Sequence, residues 1–145
     1  MYTLEEIAAL RQKCLSLKLD NAEILLKYTD AELQAICNGI GPDAFPDQLR
    51  DFISTMNPTL QPAAFIHDVE WYESTGDAED FSESNSRLRQ NGDRCAEAEY
   101  RWYNPLRYYV MWKAQKFAAL CQFCGLEFYK QSKKESTEHG CPVNT

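Results

Sequence analysis

His67 and Asp68 lie side by side in the segment QPAAFIHDVEWY, where the two side chains could do different chemistry. An imidazole titrates near neutral pH and can act as a general base, whereas a carboxylate is a ligand that hard metal cations prefer. The pair also has a purely structural interpretation, because a histidine among apolar neighbours is often a hydrogen-bonded core residue. Both interpretations stay open at this point.

A helix should position this pair. Pro62 suits a first helical turn and Gly76 follows the segment, so the sequence predicts a helix of about three to four turns from Gln61. The apolar residues of this helix fall on two sides instead of forming one stripe, and His67 lies among those of the second side. We therefore expect His67 to face inward or into a cleft.

Helical signals recur along most of the chain. Thr3 to Glu6 and Thr29 to Glu32 are capping boxes, and Asp20 or Asn21 can cap a short helix between them. No segment of useful length alternates with period two, so we predict an all-α fold. The predicted helices cover about residues 3–18, 22–28, 29–37, 47–56, 61–73, 82–92, 93–103 and 106–124.

Glycine and proline divide these helices. Residues 37–46 contain two glycines and two prolines, which predicts a loop. Gly92 is predicted to end the helix that Asp80 or Ser82 caps, Asn104-Pro105 to break the next, and Gly125 to end the long aromatic helix. We predict one helical domain over residues 1–130, followed by a polar, flexible tail over residues 131–145.

The composition narrows the function classes. The chain has 22 acidic and 15 basic residues and a net charge of -7, so no overall field attracts nucleic acid or an anionic membrane. The first residues lack the pattern of a secretory signal, and no apolar run is long enough for a transmembrane helix. We therefore expect a cytoplasmic protein without a nucleic-acid partner. An exported chain whose signal had been removed would have the same sequence features, so export stays open as the alternative.

The six cysteines allow three interpretations. In an extracellular protein they would suggest up to three disulfides, but the missing signal favours free thiols, and Cys14, Cys37 and Cys95 lie in amphipathic segments where cysteine acts as a small buried hydrophobe. A zinc site is the third interpretation, since Cys-x-x-Cys is followed by a histidine and another cysteine. Its four ligands would be Cys121, Cys124, His139 and Cys141.

Aromatic and basic residues alternate in Tyr100–Tyr103 and Arg107–Tyr109. Such a pattern can stack nucleobases or contact lipid headgroups. In an acidic chain with three Trp and eight Tyr, we expect helix packing to account for it.

A glycine-containing loop with Cys37 at its head precedes the His-Asp helix. This arrangement resembles the phospholipase A-2 superfamily, whose loop follows the pattern Cys-Gly-x-Gly-Gly and whose helix follows His-Asp-x-x-Tyr. It is still more similar to small phage-encoded or prophage-encoded phospholipase-like proteins, which continue with an Asp-x-x-Phe-x-x-Asn helix and a late aromatic helix ending in Gly-x-x-Phe. The resemblance covers about residues 37–129, where those two places are taken by Asn85-x-x-Leu88-x-x-Asn91 and Gly125-Leu-Glu-Phe128.

The resemblance implies a phospholipase A-2-like helical core with extra N-terminal helices and a phospholipid substrate. His67 would draw a proton from the water that attacks the ester carbonyl, with Asn85 at the place of the family's second carboxylate. Ca²⁺ would stabilise the oxyanion. Its implied ligands are Asp68 and the loop at Asn38, Gly39 and Gly41.

Three departures from the family pattern bear on activity. Asn85 can accept a hydrogen bond from the histidine but cannot balance an imidazolium charge, unless Asp77 or Asp80 folds back to do so. Trp71 replaces the family's tyrosine, and an inserted helix near residues 49–56 lengthens the connection to His67. Two function classes follow, a calcium-dependent lipid esterase and a helical binding protein that keeps the fold without the activity.

Overall fold

The computed structural model describes residues 2–39, 57–74 and 77–138, with side chains up to residue 123. Within these ranges the chain forms α-helices and short 3-10 segments and no strand, which confirms the predicted all-α class. The α-helices are α1 (Leu4–Ser16), α2 (Asp30–Gly39), α3 (Gln61–Glu73), α4 (Ala78–Glu99) and α5 (Pro105–Glu138). The 3-10 segments are Ala22–Lys27 and Pro58–Leu60. The predicted helix over residues 47–56 lies outside the described residues.

The two N-terminal helices begin at their predicted capping boxes. The Thr3 hydroxyl accepts a hydrogen bond from the Glu6 amide at 3.1 Å. Thr29 and Glu32 cap each other, since the side chain of each accepts from the backbone amide of the other at 3.1 and 3.2 Å. These bonds satisfy amides that an α-helix leaves unpaired in its first turn.

The segment between α1 and α2 differs from the prediction. It is a 3-10 helix, and Asn21 precedes it in a left-handed conformation with φ of 64° and without a side-chain capping bond. The predicted capping role of Asp20 or Asn21 is therefore wrong. The backbone of Asp20 instead pairs with the side chain of Asn91 on α4, which accepts from its amide at 2.7 Å and donates to its carbonyl at 3.0 Å.

Helix α3 lies at the centre of the fold and contacts α1, α2 and α4. Its start at Gln61 agrees with the prediction, and it ends at Glu73. A helix with apolar residues on all sides is typically buried on all sides, which explains why no single stripe is visible in the sequence. Its buried residues are Pro62, Ala63, Ala64, Phe65, Ile66, His67, Val69 and Glu70.

Helix α4 is one continuous helix where the sequence predicts two. Asp77 caps it by accepting from the Glu79 amide at 2.9 Å, so the predicted caps Asp80 and Ser82 are wrong. Gly92 lies inside the helix and does not end it. A Cβ atom on Gly92 would lie 2.4 Å from the Cβ of Ala114 on α5, so the glycine allows these two helices to approach closely.

Helix α5 begins where predicted and continues further. Asn104 accepts a hydrogen bond from the Leu106 amide at 3.0 Å, which confirms the break before Pro105. The helix passes through Gly125 and reaches Glu138, so the predicted end at Gly125 is wrong. A glycine costs a helix interior only about 1 kcal/mol relative to alanine, which a long helix tolerates. Residues 131–138 are helical, while the flexibility of the tail stays a prediction.

Buried cysteines and an ion-pair network contribute to the packing. Cys14, Cys37, Cys95 and Cys121 are buried and free, as predicted for the first three. Arg87 on α4 bonds to Glu70 on α3 and to Asp20 at 3.1 Å, which ties α4 to α3 and to the turn after α1.

In the described part of the chain, no helix has the length and apolar character needed to span a membrane.

Candidate functional site

His67 and Asn85, which the sequence places 18 positions apart, meet inside the protein. His67 projects from α3 with 5% of its surface exposed, and Asn85 projects from α4 with 4% exposed. His67 Nε2 lies 2.9 Å from Asn85 Oδ1, which is hydrogen-bonding distance. The fold therefore brings together the two residues that were predicted to form the catalytic pair.

Two further side chains fix the orientation of the Asn85 amide. Asn85 Nδ2 donates to Gln122 Oε1 on α5 at 2.9 Å, and Gln122 Nε2 donates to Ser82 Oγ at 3.2 Å. With its nitrogen engaged by Gln122, Asn85 presents its oxygen to the imidazole. His67 must then donate from Nε2, so the lone pair of the neutral ring lies on Nδ1.

Gln122 has no signal in the sequence that marks it as part of a site. It lies off the apolar stripe of α5, and glutamine is an ordinary residue on an exposed helix face. Its role arises only because α5 packs beside α4. Sequence reasoning missed it for this reason.

The surroundings of His67 favour the neutral ring. Burial lowers the pKa of His67, and the hydrogen bond to Asn85 opposes this shift only in part. Trp71 packs edge-on against the imidazole with ring centroids 6.2 Å apart, and Phe81 packs edge-on against Trp71 at 5.9 Å. Asp77 serves as the α4 cap, and the hydrogen-bond partner seen for His67 Nε2 is Asn85.

Asp68 is half-buried on α3, a helix that contacts α2. Burial raises the pKa of Asp68 to about 7. The pKa of Tyr2 is raised to about 12, first by burial and then by the nearby Asp68 charge, and the same charge contributes to the raised pKa of Cys37. The charge of Asp68 therefore acts on Tyr2 and on Cys37, which lies in the last part of α2.

Of the predicted metal ligands, Asp68, Asn38 and Gly39 lie among the described residues. The side chain of Asn38 is already engaged, because it accepts from the Tyr2 amide at 2.9 Å and donates to the Tyr2 carbonyl at 3.0 Å. Its main-chain carbonyl and that of Gly39 lie in the last turn of α2, where carbonyls lack helical partners and the helix dipole favours cations. Gly41 lies outside the described residues.

A calcium site at this end of α2 stays a prediction. Among the described residues, no three His, Cys, Asp or Glu side chains converge in a way that could hold a metal ion. Ca²⁺ accepts carbonyl oxygens as readily as carboxylates, so one carboxylate and several carbonyls form an acceptable set. Asp68 would supply the charge, and Asn38 and Gly39 would supply main-chain oxygens.

Two competing sites have different outcomes. Of the four predicted zinc ligands, the structure describes the side chain of Cys121 only, which is buried in the core, so the zinc site stays a prediction. The aromatic and basic segment after α4 is largely exposed, including Trp102, Tyr103 and Tyr109. Helix packing accounts for Tyr100, which packs against the core, and does not account for these exposed rings.

Comparisons with family models, curated proteins and solved structures found no match. The functional argument therefore depends on the geometry around His67 and Asp68.

Proposed function

We propose that this protein is a slow, calcium-dependent lipid ester hydrolase of the phospholipase A-2 type, with His67 as its general base. The observation that supports this most directly is the bond of 2.9 Å between His67 Nε2 and Asn85 Oδ1. In this bond His67 Nε2 carries the proton and donates it to the Asn85 oxygen, so Nδ1 keeps the lone pair that a base needs. The lowered pKa of His67 keeps this base form populated at neutral pH.

The amide of Asn85 limits the rate in this proposal. When Nδ1 takes a proton from water the ring becomes a cation, and a neutral amide stabilises that cation less than a carboxylate does. In serine proteases the comparable change from Asp to Asn costs roughly 10⁴ in turnover, largely by allowing the wrong tautomer. Gln122 offsets part of this cost here, because it holds the Asn85 oxygen towards the ring.

Calcium, when bound, would supply positive charge for the developing oxyanion. Asp68 would hold it together with the carbonyls of Asn38, Gly39 and Gly41. Because this set carries little negative charge, we expect a dissociation constant of about 10⁻⁴ to 10⁻³ M, measurable by calorimetry.

A second candidate is a helical binding protein that keeps the His-Asp pair without hydrolysis. The burial of His67, with 5% of its surface exposed, favours this candidate because an attacking water must reach Nδ1. The two candidates differ in one respect that can be tested. Only a hydrolase has a geometry that a better histidine partner can accelerate.

The decisive experiment measures hydrolysis of a short-chain, monomeric phospholipid in calcium by the wild type, His67→Ala and Asn85→Asp. We expect slow turnover by the wild type, none by His67→Ala, and an increase on the order of 10²-fold for Asn85→Asp, since the carboxylate stabilises the imidazolium. Ser86→Asp is the matched control, because it adds the same charge one residue away on the exposed face of α4.

The imidazole nitrogen chemical shifts provide a second readout. They should report a proton on Nε2 in the wild type and a raised His67 pKa in Asn85→Asp. Activity in none of the three proteins would reject the hydrolase and leave the binding protein. Equal gains in Asn85→Asp and Ser86→Asp would show that the effect is not specific to the histidine partner.

A further inference from the structure

Exposed aromatic residues are concentrated on one part of the molecule. Seven of the nine large hydrophobic residues that are exposed in the described ranges lie between residues 102 and 123. Trp102 is 72% exposed and Phe123 is 87% exposed. We use the name aromatic face for Trp102, Tyr103, Leu106, Tyr109, Trp112 and Phe123. An exposed apolar surface of this kind typically marks an interaction site.

Two members of this face on α5 contact each other. Tyr109 and Trp112 pack with ring centroids 6.1 Å apart and planes tilted by 30°. Lys113 Nζ lies over the Tyr109 ring at 5.9 Å, and Lys116 Nζ lies over the Trp112 ring at 5.0 Å. Each ammonium group thus lies over an aromatic ring, an arrangement that cation–π attraction stabilises.

The charge around the aromatic face is opposite to that of the chain as a whole. Residues 100–126 contain four basic residues and no acidic residue, in a chain with a net charge of -7. Arg101 and Lys116 are exposed. Arg107 is paired with an acidic residue, since its Nη2 atom lies 3.8 Å from Glu97 Oε1. The partner of this surface should therefore be apolar in part and negatively charged.

We propose that the aromatic face docks on the surface of an anionic phospholipid bilayer. Trp and Tyr suit the headgroup level because their rings are apolar and carry a polar N–H or O–H, and lysines extend their charges to the lipid phosphates. Lys113 and Lys116 each lie over one face of Tyr109 and Trp112, which leaves less ring surface on which nucleobases could stack. The inference builds on the proposed function, because it names the source of the lipid substrate.

The same helix connects the aromatic face to the histidine. Gln122 lies ten residues after Trp112 on α5, which corresponds to about 15 Å along the helix. Gln115 and Gln122 line a groove of about 450 Å³ between α4 and α5, with Asn85 in its wall. Docking through Trp112 would place this groove, and with it the partner of His67, near the lipid surface.

The test uses the full chain and vesicles of phosphatidylcholine with phosphatidylglycerol, followed by sedimentation and tryptophan fluorescence. We expect the wild type to bind with a blue shift, and Trp102→Ala/Trp112→Ala to bind about tenfold more weakly or worse because it loses apolar area. Arg101→Glu/Lys116→Glu should lose about fivefold or more per charge, and pure phosphatidylcholine should bind weakly.

Leu4→Ala/Leu26→Ala is the matched control, since both leucines are exposed outside the aromatic face. It should bind vesicles like the wild type, and circular dichroism should show that every variant is folded. Absence of vesicle binding by the wild type would overturn the proposal, as would an equal loss in the control. Binding of a single-stranded oligonucleotide, or dimerisation through Trp102 and Trp112, in place of vesicle binding would also overturn it.

The vesicle-binding measurement and the hydrolysis assay can fail separately. A chain that hydrolyses the monomeric phospholipid but ignores vesicles would refute the docking surface and leave the hydrolase. A chain that binds vesicles but hydrolyses no phospholipid would refute the hydrolase and leave the docking surface.

Discussion

His67 and Asp68 are adjacent in the chain, yet burial affects their charges in different ways. Burial lowers the pKa of His67, which keeps a base in its reactive neutral form. It raises the pKa of Asp68 to about 7, which works against the ionised form that a metal ligand needs. A bound cation would reverse the second effect, because it stabilises the carboxylate.

Asp68→Asn should stabilise the metal-free protein in a pH-dependent way. The pKa of Asp68 is higher in the folded state than its usual value of about 3.9, so its contribution to stability is lost as pH rises from about 4 to about 7. Allowing for its partial exposure, the variant should gain on the order of 2 kcal/mol at about pH 8 and little at about pH 4. Urea unfolding at both pH values measures this gain.

At about pH 8, calcium should reduce the difference in unfolding free energy between Asp68→Asn and the wild type, because a ligand that binds only the folded wild type raises its stability. The exposed Glu83→Gln serves as a control for the loss of one negative charge. A wild type more stable than Asp68→Asn at about pH 8 without divalent ions would contradict the assignment of Asp68 as a destabilising buried carboxylate.

At the scale of the helices, the contact between α4 and α5 controls the candidate site. Gly92 and Ala114 let the two helix backbones approach, and this approach brings Gln122 to Asn85. The Arg87 and Glu70 pair on the neighbouring surface holds α4 to α3, although burial raises the pKa of Glu70 to about 7 against the effect of Arg87. The position of Asn85 thus depends on packing on both sides of α4.

Gly92→Ala should destabilise the protein by about 1–3 kcal/mol, because the new methyl group would lie 2.4 Å from Ala114 Cβ and the helices must separate. Helix propensity alone would give the opposite sign, a gain of about 1 kcal/mol. Denaturant unfolding of the single variant decides between the two effects.

Gly92→Ala/Ala114→Gly is the matched control for this helix contact. It restores the space and should recover part of the lost stability. The separation of α4 from α5 should also weaken the Gln122 bond, visible as a change in the His67 nitrogen shifts. Stabilisation by Gly92→Ala would show that the contact is not tight.

At the scale of the whole molecule, the core encloses thiols from four separate helices. Burial raises the pKa of Cys14 to about 12 and that of Cys95 to about 11, which disfavours their reactive thiolates. Cys37 and Cys121 are buried in the same core. These cysteines should react slowly for as long as the fold is intact.

Alkylation without reductant should therefore depend on folding. The folded chain should leave Cys14, Cys37, Cys95 and Cys121 unmodified, and unfolding should expose all six cysteines of the sequence to the reagent. Intact mass before and after unfolding gives the count. A mass showing disulfides, or fast labelling of the four buried thiols in the folded chain, would be contrary to this prediction.

Local interactions made much of the secondary structure predictable. The caps at Thr3, Thr29 and Asn104 and the start of α3 depend on residues within one turn of each other, so the sequence alone identifies them. The meeting of His67 with Asn85 was expected from the resemblance. Burial of α3 on all sides was visible only as the absence of a single apolar stripe.

Only the tertiary structure decided what the helix faces contact. Gly92 has the sequence signature of a helix end but serves a close approach to Ala114, a residue 22 positions away. Gln122 became part of the His67 network because α5 packs beside α4. Tyr109 and Trp112 are exposed while Phe117 on the same helix is buried, because only one side of α5 faces the core. Each of these outcomes depends on residues distant in sequence, and neither spacing nor composition specifies which faces will meet.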